Sequence, residues 1–314
     1  MRFLILLTGV VTLLAAFTRT PEYRLEASGL VTDLAYEKGR LYAATGAGVV
    51  DRFDLSAKKR TGAIHVPDIK DFMGDTIPAK IYSVDVREGR VLIVAQGAKG
   101  YRELYLSNGK DAEKKIGVDE HLFIKKASFV DDEKVLIGLL SNELILYSLK
   151  ENRALYRKQI RPSTFSDFAL SEDKTRVVVA DESGILTLID VATGDVVRIM
   201  EGENLDNVYQ VDYKNGIAAG AGQDRKVSIY RPKDAYHVMG KFLIYSVGLS
   251  PKAAWCAYAY NEASEIALLD VASGSVKGYY TEGHHATLSR ILFTEEQGFF
   301  SAADEKSIYF WRVP

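Results

Sequence analysis

Two adjacent histidines, His284 and His285, are the first place in this 314-residue chain where residue type suggests chemistry, because paired imidazoles can ligate zinc or copper. Such a site needs a third and a fourth ligand, and neither a cysteine nor another histidine lies nearby in sequence. The single cysteine, Cys256, could act as a nucleophile beside a histidine. It sits in AAWCAYAY, however, which reads as a buried strand, and a thiol buried among apolar groups is inert. Carboxylates gather at Asp131-Asp132-Glu133, Glu172-Asp173, Asp181-Glu182 and Glu295-Glu296. Acid–base catalysis needs two of them at a set separation in a pocket, and calcium needs several oxygens converging on one loop. These groups fall in hairpin turns, where Asp and Glu satisfy backbone N–H groups or water. There is no Cys-x-x-Cys-His, no Gly-x-Ser-x-Gly, no EF-hand spacing and no phosphate loop. The residues therefore nominate no catalytic group, no metal ligand and no cofactor, and the expectation is a non-enzymatic protein.

The stretch His65 to Pro78, HVPDIKDFMGDTIP, is the most unusual in the chain. It sets Ile69, Phe72 and Met73 beside Asp68, Lys70, Asp71 and Asp75. Apolar and aromatic side chains on a long loop suit recognition of a partner protein, and they suit equally a cover over one end of the fold. Ile69, Phe72 and Met73 are the candidate partner-binding residues.

These residues must be positioned by a repeat. Segments of one pattern open at Val31 (VTDLAY), Ile81 (IYSVDV), Ile124 (IKKASF), Phe165 (FSDFAL), Val208 (VYQVDY), Ile244 (IYSVGL) and Leu288 (LSRILF), in steps of 50, 43, 41, 43, 36 and 44 residues. Within the fourth unit, FSDFAL, RVVVAD and ILTLID are separated by turn residues, and ATGD leads to a fourth strand, VVRIM. Four short strands per period of about 40 residues is the signature of a propeller blade. The expected fold is an all-β, seven-bladed propeller over residues 19–314. Small pairs, Ala43-Ala44, Ala218-Ala219 and Ala302-Ala303, stand where neighbouring blades approach closely. The last unit reaches Pro314 after only three strands, so PEYRLEAS, ahead of Val31, is expected to supply the missing strand and close the ring.

The last unit, GHHATLSRILFTEEQGFFSAADEKSIYFWRV, resembles a WD repeat: Gly283-His284 takes the place of the Gly-His pair, Asp304 lies in the turn, and Trp311 comes near the end of the third strand. The signature is degenerate, since Trp311 is followed by Arg312 and the other units lack the Gly-His pair. The resemblance implies that His284, Asp304 and Trp311 form a structural network within the blade, with His285 facing solvent. A narrower resemblance rests on FMGD shortly before KIYSVD, together with a leader and a divergent propeller of this size. This layout is similar to the NapL family encoded with periplasmic nitrate reductase, which implies an accessory role without catalytic or cofactor residues.

Residues 1–18 read as a signal peptide: Arg2 precedes an apolar run too short to span a bilayer comfortably, and small residues follow. A periplasmic location is expected, with membrane attachment only through an uncleaved leader. One cysteine forbids an internal disulfide. Forty Lys and Arg against 42 Asp and Glu, interspersed, argue against a nucleic-acid groove. The expected function is protein–protein interaction by a monomer, with components of the periplasmic nitrate reductase as partner. The rivals are an outer-membrane-assembly scaffold and a propeller enzyme with a metal in its central channel. The enzyme would need several Asp, Glu, Asn or His residues facing the axis, and the inner strands open mostly with apolar or hydroxyl residues.

Overall fold

The computed structural model describes residues 16–314. Seven sheets, six of four antiparallel strands and one whose four antiparallel strands are joined by a parallel fifth, are arranged as a β-propeller. Blade 1 comprises Val31–Glu37, Arg40–Thr45, Val49–Asp54 and Lys59–His65, from axis to rim, and the next five blades repeat the order. The only helical elements among the described residues are two three-residue 3-10 turns.

Blade 7 is built from both ends of the chain. Leu288–Glu295, Gly298–Ala303 and Ser307–Arg312 are joined at the rim by Tyr23–Glu26, antiparallel to the third strand, with Leu25 opposite Ile308. This is the closure expected of PEYRLEAS. Leu25, Phe300 and Phe310 are buried in one cluster with Val31, Leu41 and Phe53 of blade 1, so the closing strand also seals the junction between the first and last blades.

Of the leader expected over residues 1–18, residues 1–15 lie outside the described residues. Phe17–Arg19 is the fifth strand of blade 6, pairing parallel with Ser275–Tyr280. The Phe17 ring meets the Tyr280 ring edge-on at 5.6 Å. The three alanine pairs are fully buried, as close blade packing requires.

The innermost strands depart from simple alternation. In six of the blades the register slips next to the first residue of the repeat, for example between Val31 and Asp33, between Phe165 and Asp167, and between Val208 and Gln210. A bulge of this kind adds one residue and turns the following side chains to the other face. The first and fourth residues of each repeat therefore both point into the packing between blades, and the third and fifth point to the central channel. The sixth blade's inner strand is shorter, Val247–Leu249, because Ile244–Ser246 turns in without pairing as strand.

Candidate functional site

The channel-facing positions hold four carboxylates, Asp33, Asp85, Asp167 and Asp212, contrary to the expectation of mostly apolar and hydroxyl residues along the axis. Each accepts a backbone N–H from the inner strand of the next blade: Asp33 from Val84 (3.0 Å), Asp85 from Phe129 (2.8 Å), Asp167 from Val211 (3.1 Å) and Asp212 from Leu249 (2.8 Å). Blade 3 carries Lys126 instead, which donates to the Phe168 carbonyl of blade 4 at 2.8 Å and to Asp167 at 2.7 Å. Ser289 of blade 7 donates to the Val31 carbonyl of blade 1 at 2.8 Å. Glu296 of blade 7 accepts from Ser250 and from the Lys252 N–H of blade 6. Every junction between blades thus has a polar link between inner strands or the turns that follow them. A carboxylate accepting a backbone amide in a desolvated place forms a strong, charge-assisted bond.

Arg290 sits between these acids, 3.5 Å from Asp33 and 3.9 Å from Asp167. Burial works against its charge, and Asp33, Asp167, Asp212 and Asp85 together outweigh it, holding the guanidinium above its ordinary range. Burial raises the Asp85 carboxyl, partly countered by Lys174. Among the described residues, no three His, Cys, Asp or Glu side chains converge as a metal would require.

The sequence-nominated network of blade 7 is present with one change of partner. The Trp311 indole N–H donates to Ser301 Oγ at 2.7 Å, and His284 Nε2 lies 2.7 Å from the same hydroxyl. His284 Nδ1 bonds to Glu305, whereas Asp304 is exposed. The chain Trp311–Ser301–His284–Glu305 is satisfied when Ser301 donates to Nε2 and Nδ1 carries the proton. Hydrogen bonding from His284 lowers the Glu305 carboxyl below its ordinary value. Gly283 precedes the histidine because Trp311 covers it, and a Cβ there would stand 2.6 Å from the indole. His285 is exposed. Ser301→Ala is expected to orphan the indole N–H and one imidazole nitrogen, costing about 2 kcal/mol in chemical denaturation. An unchanged denaturation midpoint would contradict this role.

Cys256 is fully buried, and burial followed by the charge of Asp212 pushes its thiol well up, away from the reactive thiolate.

The loop between blades 1 and 2 is an ordered hairpin. Ile69–Lys70 pairs antiparallel with Thr76–Ile77, and Lys70 donates to Thr76 Oγ1 at 2.6 Å. Asp71 Oδ1 accepts the N–H groups of Met73 and Asp75, each at 2.9 Å, folding the tip back on itself. Gly74, at φ +90°, makes a turn that other residues would resist. Phe72 is 95% exposed and Met73 72%. Ile69 instead packs, half-buried, on the core shared by blades 1 and 2, so it anchors the hairpin and leaves Phe72 and Met73 to present themselves.

The hairpin connects an outer strand to the next inner strand, which places it at the end of the ring where the inner strands begin. That end also carries Tyr82, Tyr209 and Tyr245 from the second positions of their repeats, with Tyr209 and Tyr245 stacked at 5.1 Å. Tyr101 and Phe123 lie 5.0 Å apart in loops of blade 2 and its exit. Residue counting could locate this hairpin through the long first step, but the aromatic character of the whole face depends on knowing which ends of the strands coincide. No protein-family model matches the chain, and no curated protein matches it.

Proposed function

We propose that this chain is a non-enzymatic propeller that captures a partner protein on the face where its inner strands begin, with Phe72 and Met73 as the entering side chains. One observation carries the reading: a large aromatic and a methionine stand almost fully in solvent on a hairpin tip that Asp71 holds in shape. Solvating that surface is unfavourable, and a preorganised tip loses little entropy on docking. The use of all four axial aspartates as acceptors between blades supports a binding role over a catalytic one. The finer assignment is an accessory or maturation factor of the periplasmic nitrate reductase, supported by the likeness of leader, propeller and FMGD loop to the NapL family. Export fits the apolar start of the chain, whose residues 1–18 read as a leader.

The test is a pull-down of the tagged protein from periplasmic extract of its host grown with nitrate, beside a Phe72→Ser/Met73→Ser variant. Both side chains are solvent-exposed, so the variant is expected to melt with the parent while recovering at least tenfold less reductase. Recovery undiminished by the variant would refute the loop assignment. Recovery of barrel-assembly proteins in place of the reductase would favour the scaffold reading.

A further inference from the structure

The same face opens into a cavity of about 160 Å³ at the channel mouth, many times the room one water needs. Its walls are the second and third residues of the repeats: Thr32, Ser83, Lys125, Ser166, Gln210 and Arg290 among them. Two of these have buried hydroxyls without a hydrogen-bond partner, Thr32 Oγ1 and Ser83 Oγ, while Arg290 Nε has only its 3.5 Å ion pair with Asp33. Ser83 is 2% exposed, in the wall of this cavity. Leaving a buried hydroxyl unpaired costs about 1–3 kcal/mol. Other wall groups have partners inside the protein: Ser166 donates to Asn207, and Gln210 bridges Ser246 and the Ser289 carbonyl.

Charge at the mouth is unbalanced in the same direction. Lys126 is paired with Asp167, whereas its neighbour Lys125 has no carboxylate partner among the described residues. Arg102 lies 3.8 Å over the Tyr82 ring and donates to the Ile124 carbonyl, and Lys80 stands 5.7 Å from the same ring. Neither pairs with a carboxylate among the described residues. Desolvation, then the charge of Arg102, with that of Lys80 adding, depresses the Lys125 ammonium and Asp167 acts the other way, although the residue stays exposed to solvent at the mouth. Three like charges around one opening are unfavourable without an anion between them.

We infer that the channel mouth is a binding site for a single carboxylate group, held between Lys125 and the Ser83 and Thr32 hydroxyls beside the Arg290 guanidinium, with Arg102 and Lys80 guiding it in. Within the cavity, Lys125, Lys126 and Arg290 face Asp33 and Asp167, three positive charges against two negative. A surplus of one matches a monoanionic carboxylate better than a dianionic phosphate. The carboxylate can come from a free organic acid or from an acidic side chain of a docked protein. The site does not depend on the Phe72–Met73 reading, because a free acid would occupy it with no protein bound.

Titration calorimetry at constant ionic strength, with chloride as the balancing anion, tests this on the full chain. The probes are lactate, inorganic phosphate, and a short peptide containing Glu beside the same peptide containing Gln. Saturable heat is expected from lactate or from the Glu peptide, with at least a tenfold loss of affinity in Lys125→Gln and a several-fold loss in Ser83→Ala. Lys125 makes no ion pair among the described residues, so Lys125→Gln is expected to melt with the parent. Lactate alone would identify a free acid as the occupant, and the Glu peptide alone a protein side chain. No saturable binding of either, equal binding by the variants, or tighter binding of phosphate would overturn the inference.

Discussion

Leu25→Asp should lower the melting temperature by roughly 10 °C and open the ring at its junction. Leu25 is 3% exposed, on the strand that the N-terminal segment contributes to blade 7, and it shares a core with Phe300, Phe310 and residues of blade 1. Removing its burial costs about 2 kcal/mol. Placing an unpaired carboxylate there adds a further cost of about 2 kcal/mol or more. The strand has no continuous chain link to the rest of its blade, so it stays in place through side-chain packing, four residues of pairing with Ser307–Arg312, and the Glu22 and Ala27 backbone bonds that flank them. Arg24→Ala on the exposed side of the same strand is the control, and its melting curve should match the parent. Circular dichroism melts of the two variants decide the matter, and a Leu25→Asp protein melting with the parent would mean that the N-terminal strand is dispensable for closure.

Lys126→Met should cost about 3 kcal/mol, the range for breaking a buried ion pair by removing one partner. The Lys126 and Asp167 side chains are 14% and 8% exposed, and the ammonium also satisfies the Phe168 carbonyl. Without it Asp167 keeps only the Val211 amide and a distant Arg290 guanidinium. Asp167→Asn retains an acceptor for Val211 while removing the charge, so the double variant Lys126→Met/Asp167→Asn should lose less than the sum of the two single changes. A double-mutant cycle by urea denaturation measures that coupling. Additive losses would mean that the two residues contribute independently to the junctions between blades 3, 4 and 5.

Much of this architecture was legible because it is periodic. Strand length, turn residues and the recurrence of opening segments are local properties, and seven copies reinforce one another. The missing fourth strand of the last repeat is visible as an arithmetic deficit, which is why PEYRLEAS can be matched to it from the sequence. The pairing of His284 with Trp311 was readable through the resemblance of the last repeat to a WD repeat. Their carboxylate partner was not, because Asp304 and Glu305 are adjacent in a tight turn, and the direction each side chain takes depends on backbone angles that spacing does not reveal.

The axial aspartates show the limit more sharply. Asp33 and Asp167 stand third in their repeats, Asp85 and Asp212 fifth, each following an apolar first residue. Plain alternation would put the first, third and fifth residues on one face, so apolar first residues suggested an apolar channel. The pairing of apolar first and fourth positions was the available sign of a bulge. The half-buried place of Ile69 is not legible for a related reason, since a hairpin can hide one of its apolar residues beneath it.

By itself the sequence determined the repeat number, the strand order within each blade, the closing segment and the outlying loop, because each follows from composition and spacing along the chain. Only the tertiary structure decided which side chains face the axis, that Ile69 anchors while Phe72 and Met73 protrude, and that Ser83 and Arg290 of distant blades share one cavity with Lys125. Those outcomes depend on a one-residue slip in six of the seven inner strands and on closure of the ring, which bring together residues more than 200 positions apart.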